Sequence, residues 1–425
     1  MRPLSRLAPL ALVAGLAGPG ALAVVAPAPA YAAEKVGCST AEPGEDTPST
    51  DVSAADDEKN PALQALRLDD VHTIATGRGV GVAVIDSGVQ TSSSLAPRPG
   101  TSFVGGANIL DGHGTIVAGL IAGQGDTTSI APGAYVVPVR VSASEPDQDD
   151  PQPGSVEPGN VAQAIRWVVD QRRTKDPDLR VINLSLGFAE RNLPDVAKAV
   201  EAAEDAGIVV VAAAGNRPSD STEDPDEAES SEEADKPEKM PDEVLFPATL
   251  ETVIAVTARD EDLAMTTDAV YAGPEIDVSA PVVGLRSVML GGLLCDIPVT
   301  ASSWATAEVS GLAALLFEQD PTLTPAQVRT RIELTAQGGF QDSATDGHGM
   351  IQPYQALTTV LDIAKDGTLR EDSGSRREEF VAGKPDVRGD AYASSREHLV
   401  WWGVGAGGAV LLVLILRPLT ARRRG

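Results

Sequence analysis

The chain has 425 residues and a formal net charge of −28 at neutral pH, with 33 basic side chains against 61 acidic ones. Phosphate backbones are gripped through lysine and arginine, so this balance argues against a nucleic-acid partner. The length suits one large domain or two ordinary ones, and two cysteines are too few for a disulfide framework though enough for a single bridge.

Arg2 and Arg6 precede an apolar Ala/Leu/Val-rich run ending in Ala30-Tyr31-Ala32-Ala33, a small-x-small cleavage pattern. Residues 1–32 therefore read as a secretory signal peptide. Residues 33–62 are mostly polar, acidic and Pro/Ser-rich and form an extension without a core of its own. From Pro61 to Thr76 the spacing of Leu63, Leu66, Leu68, Val71 and Ile74 predicts one helix packed on a domain that spans 63–364. Val80 to Ile85 reads as a buried strand with Asp86 at its end. Next comes Asp111-Gly-His113-Gly-Thr-Ile-Val-Ala-Gly, a histidine flanked by glycines ahead of a small-residue helix.

Further strands are predicted at Tyr135 to Val141, Val181 to Leu186, Ile208 to Ala214, around Val253–Val256 and at Asp277–Ser279. Helices are predicted at Asn160 to Gln171, Val196 to Ala206 and Thr324 to Thr335, and Gly347 to Leu357 closes the domain. Strands apolar on both faces that alternate with helices imply an α/β fold, a parallel sheet covered by helices on both faces. An acidic, Pro-rich insertion lies at about 144–157, and the acidic tract at 217–243 reads as a solvated loop without the regular ligand spacing of a calcium site. No metal or cofactor is expected.

Residues 365–398 read as a charged tether. Leu399 to Leu416 carries no charge and is about long enough to cross a bilayer. Trp401 and Trp402 mark one interface, and Arg417, Arg422, Arg423 and Arg424 place the 417–425 tail in the cytoplasm. The expected protein is single-pass type I, with its domain outside the cell membrane.

Thr300 to Gly311, TASSWATAEVSG, puts two serines at the start of an apolar helix. A serine there sits near unpaired backbone N–H groups and the positive end of the helix dipole. The plain alternative is that Ser302 or Ser303 caps the helix. A nucleophilic serine needs a base within hydrogen-bond reach. Of the four histidines, His72, His113, His348 and His398, His113 is the best placed. A carboxylate, Asp86, would fix its tautomer, and Asn216 would supply an oxyanion donor.

The order Asp86, His113, Ser303 resembles the subtilisin-like serine proteases. The resemblance rests on Val84-Ile-Asp86-Ser-Gly-Val, Gly112-His113-Gly-Thr-Ile-Val-Ala-Gly, Asn183-Leu-Ser185-Leu-Gly187, Ala214-Gly-Asn216 and Ala301-Ser-Ser303-Trp-Ala305-Thr-Ala307-Glu-Val309-Ser-Gly311. It implies a subtilisin-like fold, an acyl-enzyme mechanism on protein or peptide substrates, and a substrate-binding strand at Ser185, Leu186 and Gly187. Signal peptide, short extension, acidic loops and C-terminal anchor are similar to the mycosins, the membrane-anchored proteases of actinobacterial type VII secretion systems. That likeness implies secretion-channel components as partners, and the exported location makes a Cys38–Cys295 disulfide plausible. Where the family has glycine this chain has Ala301. If that position required positive φ or backbone clearance, the methyl group would disturb substrate binding, and a catalytically degenerate fold bracing the secretion complex would be the alternative.

Overall fold

A computed structural model describes residues 37–38, 60–142, 156–217, 243–341, 343, 345–370, 401–402, 406–412 and 414. In chain order the elements are helices α1 (Pro61–Leu66) and α2 (Leu68–His72), strands β1 (Gly81–Asp86) and β2 (Thr101–Ser102), helix α3 (His113–Ala122) and strand β3 (Tyr135–Arg140). Then follow α4 (Pro158–Thr174), β4 (Leu179–Leu184), α5 (Pro194–Asp205), β5 (Val209–Ala213), β6 (Val253–Arg259) and β7 (Val278–Pro281). The pair β8 (Arg286–Val288) and β9 (Leu294–Asp296) precedes helices α6 (Ser302–Gln319), α7 (Pro325–Thr335) and α8 (Pro353–Thr358).

Seven strands form one parallel sheet in the order β2-β3-β1-β4-β5-β6-β7. The central strands β1, β4 and β5 are buried along their whole length, as their unbroken apolar runs require. One face packs on α4 and α5 through Ile165, Val168, Val196 and Val200, facing Ile85, Ile182 and Val210. The other packs on α3, α6, α7 and α8, with Leu312, Leu315 and Ile116 against Val84, Val181 and Val256. Helix α6 is buried from Ser302 to Phe317, which is why its sequence reads apolar all round rather than striped.

The first helix differs from its expected form. Arg67 adopts a left-handed conformation, φ 53°, and divides the run into α1 and α2. Leu66, Leu68 and Val71 are buried as their spacing predicts, but Ile74 lies past the end of α2 and is 40 % exposed. Helix α7 starts on a capping box, the Thr324 hydroxyl accepting from the Gln327 N–H while Gln327 Oε1 accepts from the Thr324 N–H.

Residues 1–32, most of 33–62, most of the two acidic tracts, 371–400 and 415–425 lie outside the described residues. Among the described residues no helix is long and apolar enough to cross a membrane. Of the span predicted at 399–416, residues 401–402, 406–412 and 414 are described, all helical and, where described, exposed.

Candidate active site

In a parallel sheet the strand C-termini and helix N-termini share one edge, and β1 is where the strand order turns back. Asp86 is the last residue of β1, Ser185 follows β4, and Asn216 lies three residues past β5. His113 opens α3, and Ser302 with Ser303 opens α6. Five chain segments far apart in sequence thus deliver polar side chains to one rim.

The Asp86 carboxylate accepts from His113 Nδ1, at 2.9 Å to Oδ1 and 3.0 Å to Oδ2, and from the Ser87 N–H at 2.7 Å. Such proximity needs a helix that can approach the strand end. A Cβ on Gly114 would lie 2.4 Å from the Gly88 carbonyl oxygen and 3.0 Å from Asp86 Cβ. Asp111 Oδ1 accepts from the His113 N–H at 2.8 Å and fixes the start of α3. Burial opposes the charged imidazole, yet the Asp86 carboxylate, through its charge and its hydrogen bond, together with Asp111, holds the His113 pKa above the ordinary imidazole value. With Nδ1 donating to Asp86, Nε2 is the nitrogen free to accept a proton.

The His113 ring packs against Trp304, centroid to centroid 5.0 Å, which brings the imidazole to the first turn of α6. Ser303 is 7 % exposed, and its hydroxyl donates to the Ser185 carbonyl at 3.2 Å. In return the Ser185 hydroxyl donates to the Ser303 carbonyl at 2.8 Å. Asn183 Nδ2 donates to Ser185 Oγ and Asn183 Oδ1 accepts from Ser310, so the end of β4 is tied to α6. Asn216 Oδ1 accepts from both the N–H (2.8 Å) and the hydroxyl (2.9 Å) of Ser302, and Ser302 Oγ accepts from the Gly215 N–H at 3.1 Å. This occupies the oxygen end of the Asn216 amide and leaves its NH₂ end directed away from Ser302. Neither serine caps α6: the cap is Ala301, with no side-chain hydrogen bond. Ala301 has φ −148°, extended backbone that any residue adopts, so the strain expected from a missing glycine is not there.

Residues 77–351 match the sequence profile described as the Subtilase family. The chain belongs to this family. Within it the chain is of the mycosin type. It is 32 % identical to Mycosin-1 from Mycobacterium tuberculosis over 324 residues, covering 69 % of this chain and 72 % of the relative. The crystal structure of MycP1 from Mycobacterium smegmatis superposes with a TM-score of 0.56 at 28 % identity, covering 73 % of this chain and 86 % of that one. The MycP3 protease of a type VII (ESX-3) secretion system gives 0.56 at 31 %, covering 70 % and 88 %. A thermostable alkaline protease from Halalkalibacterium halodurans is 32 % identical over 266 residues, 61 % of this chain and 63 % of the relative. This subtilase is a serine endopeptidase.

All of the expected site residues lie on the one rim, and Cys38 and Cys295, remote in sequence, are bonded with Cα atoms 4.8 Å apart. Three features of this subtilase were not assigned from sequence. Asp111 has a local signal, a carboxylate two residues before a helix-opening histidine. Ser302 holding Asn216, and Leu245 wedged beside Gly187 and Gly215, have none, because each contact joins distant segments.

Proposed function

We propose that this subtilase is a membrane-anchored, extracytoplasmic endopeptidase whose Asp86, His113 and Ser303 act as orienting carboxylate, general base and nucleophile. The observation that carries this reading is the two-oxygen approach of Asp86 to His113 Nδ1 at the mouth of α6. Ser303 donates to the Ser185 carbonyl rather than to His113, so the reaction requires its hydroxyl to exchange that partner for His113 Nε2 when substrate binds. His113 then takes the hydroxyl proton as Ser303 Oγ attacks the peptide carbonyl. The resulting oxyanion is met by the Asn216 NH₂ group and the Ser303 backbone N–H at the helix N-terminus. His113 returns the proton to the leaving amine, and water hydrolyses the acyl-enzyme by the same route. Ser185, Leu186 and Gly187 align the substrate backbone.

The uncharged run 399–416 with its flanking arginines supports a membrane anchor, and the N-terminal run supports export. The mycosin relatives support a role beside a type VII secretion channel, processing exported proteins. The extended backbone at Ala301 supports an active enzyme over a degenerate, purely structural fold, as far as φ is concerned. The test is to map N-termini of exported proteins from cells expressing the wild type or Ser303→Ala. New termini confined to the wild type are expected; identical sets would leave only a bracing role.

A further inference from the structure

Trp304 follows Ser303 in the first turn of α6 and is buried in the core layer that this helix builds. Its indole N–H is buried as well and has no hydrogen-bond partner among the described residues. An unmet donor costs stability that phenylalanine or leucine would not incur at this position. Such a breach is expected where a side chain serves the site as well as the core. What offsets it lies on the ring. The His113 imidazole has its centroid 5.0 Å from that of Trp304, with the two planes 35° apart. Rings set edge to edge could not come so close, so the imidazole overlaps part of the indole face. A cation on such a face is attracted by the electron-rich ring, and tryptophan does this best among the aromatic residues. His113 becomes that cation each time it takes a proton. The charged groups acting on it are Asp86 at the end of β1 and Asp111 just ahead of α3. The rest of α3 is uncharged, Arg140 of β3 is spent on the Ser142 and Gly106 carbonyls, and the first charged residue of α6 is Glu308, beyond its opening turn. Asp86 thus holds the imidazole through Nδ1, and Trp304 holds it through a face.

We propose that Trp304 is a positioning residue for His113, its indole face keeping the imidazole in place and favouring the charged form that arises as Ser303 attacks. The proposal rests on the assignment of His113 as the base and deepens it. The test uses the full-length protein with Trp304→Phe, which keeps a weaker ring face, and Trp304→Leu, which keeps only bulk; both lack the indole N–H. In Trp304→Leu, kcat should fall by about 3-fold or more with KM little changed, and the acidic limb of kcat/KM should move down by about half a pH unit. Trp304→Phe should lie between that variant and the wild type in both respects. A protonated imidazole quenches the fluorescence of an indole packed against it. Subtracting the emission of Trp304→Phe removes the contributions of Trp167, Trp401 and Trp402. The remaining signal should drop as pH falls through the acidic limb, and the drop should vanish when His113→Ala is placed in both proteins. An unmoved acidic limb in cooperatively melting Trp304→Leu overturns the proposal, as do equal effects of the two variants or an emission signal indifferent to His113. Should Trp304→Leu fail to melt cooperatively, the emission titration decides. Fluorophosphonate labelling of Ser303 is run beside these measurements. A wild type that stays unlabelled while its emission still titrates with His113 overturns the catalytic assignment, and this role for Trp304 with it, although the ring contact stands; the two failures are thereby told apart.

Discussion

Asp86 does two things to His113: it selects which nitrogen carries the proton, and it raises the pH at which the ring charges. A base works only when neutral, so kcat/KM should fall as pH drops through a value above that of ordinary imidazole. Asp86→Asn removes the largest upward influence on that ring. Its acidic limb should move to lower pH, while kcat falls by about 10⁴-fold because the tautomer is no longer fixed; a pH–rate profile of the variant checks both. If Asn216 serves as the proposed oxyanion donor, Asn216→Ala should cost about 10²–10³-fold in kcat with KM little changed, since such a donor acts on charge that exists only in the transition state. The placing of Asp86, His113 and Ser303 at strand and helix ends was legible because each sits in a distinctive short run. Ser302 was visible only as a hydroxyl. Its grip on Asn216 joins positions 86 residues apart, which no local pattern encodes.

Helix α6 opens with Ser302 and Ser303 and also runs through the middle of one core layer, so its sequence answers to packing along its whole length. A Cβ on Gly311 would fall 1.7 Å from Ile130 Cγ2. Gly311→Ala should therefore destabilise the domain by about 1–3 kcal/mol in chemical unfolding, the usual penalty for overpacking. Glu308, fully buried on the same helix, has both carboxyl oxygens without a hydrogen-bond partner among the described residues. Burial alone pushes its pKa well above the ordinary carboxylate value. Because the folded pKa exceeds the unfolded one, the folded state holds the extra proton between them, and stability must fall as pH rises through that window. Glu308→Gln should flatten this slope, and Glu308→Leu should stabilise the domain by about 1–3 kcal/mol by replacing an unpaired polar group; urea titrations at several pH values measure both. At this scale the long strands β1, β3, β4, β5 and β6 were legible from their unbroken apolar runs, and the two-residue β2 was not. The predicted helix over 61–76 was not, because apolar spacing says nothing about the left-handed turn at Arg67 that lets α1 and α2 each follow the core.

Over the whole chain, the sheet order gathers five segments to one rim, and a bond between Cys38 and Cys295 ties the N-terminal strand-like residue Gly37 beside Asp296. The bond closes a separation of 257 residues. Reduction, or Cys38→Ser, should lower stability by about 2–4 kcal/mol, read as a fall in Tm with and without reductant. The alternation of strands and helices made the layered α/β class legible, since period and length are local signals. The hairpin of β8 and β9 was not, its strands being three residues each with no alternation to mark them. The packing of Leu245 against Gly187 and Gly215 was equally hidden, because it joins segments distant in sequence. The account as a whole stands on Ser303 being a nucleophile that His113 activates. The most direct test is fluorophosphonate labelling of the folded protein with mass-spectrometric mapping of the adduct. The account predicts a single adduct on Ser303, absent in Ser303→Ala and strongly reduced in His113→Ala. A folded wild type that stays unlabelled, or an adduct on another residue, would contradict it.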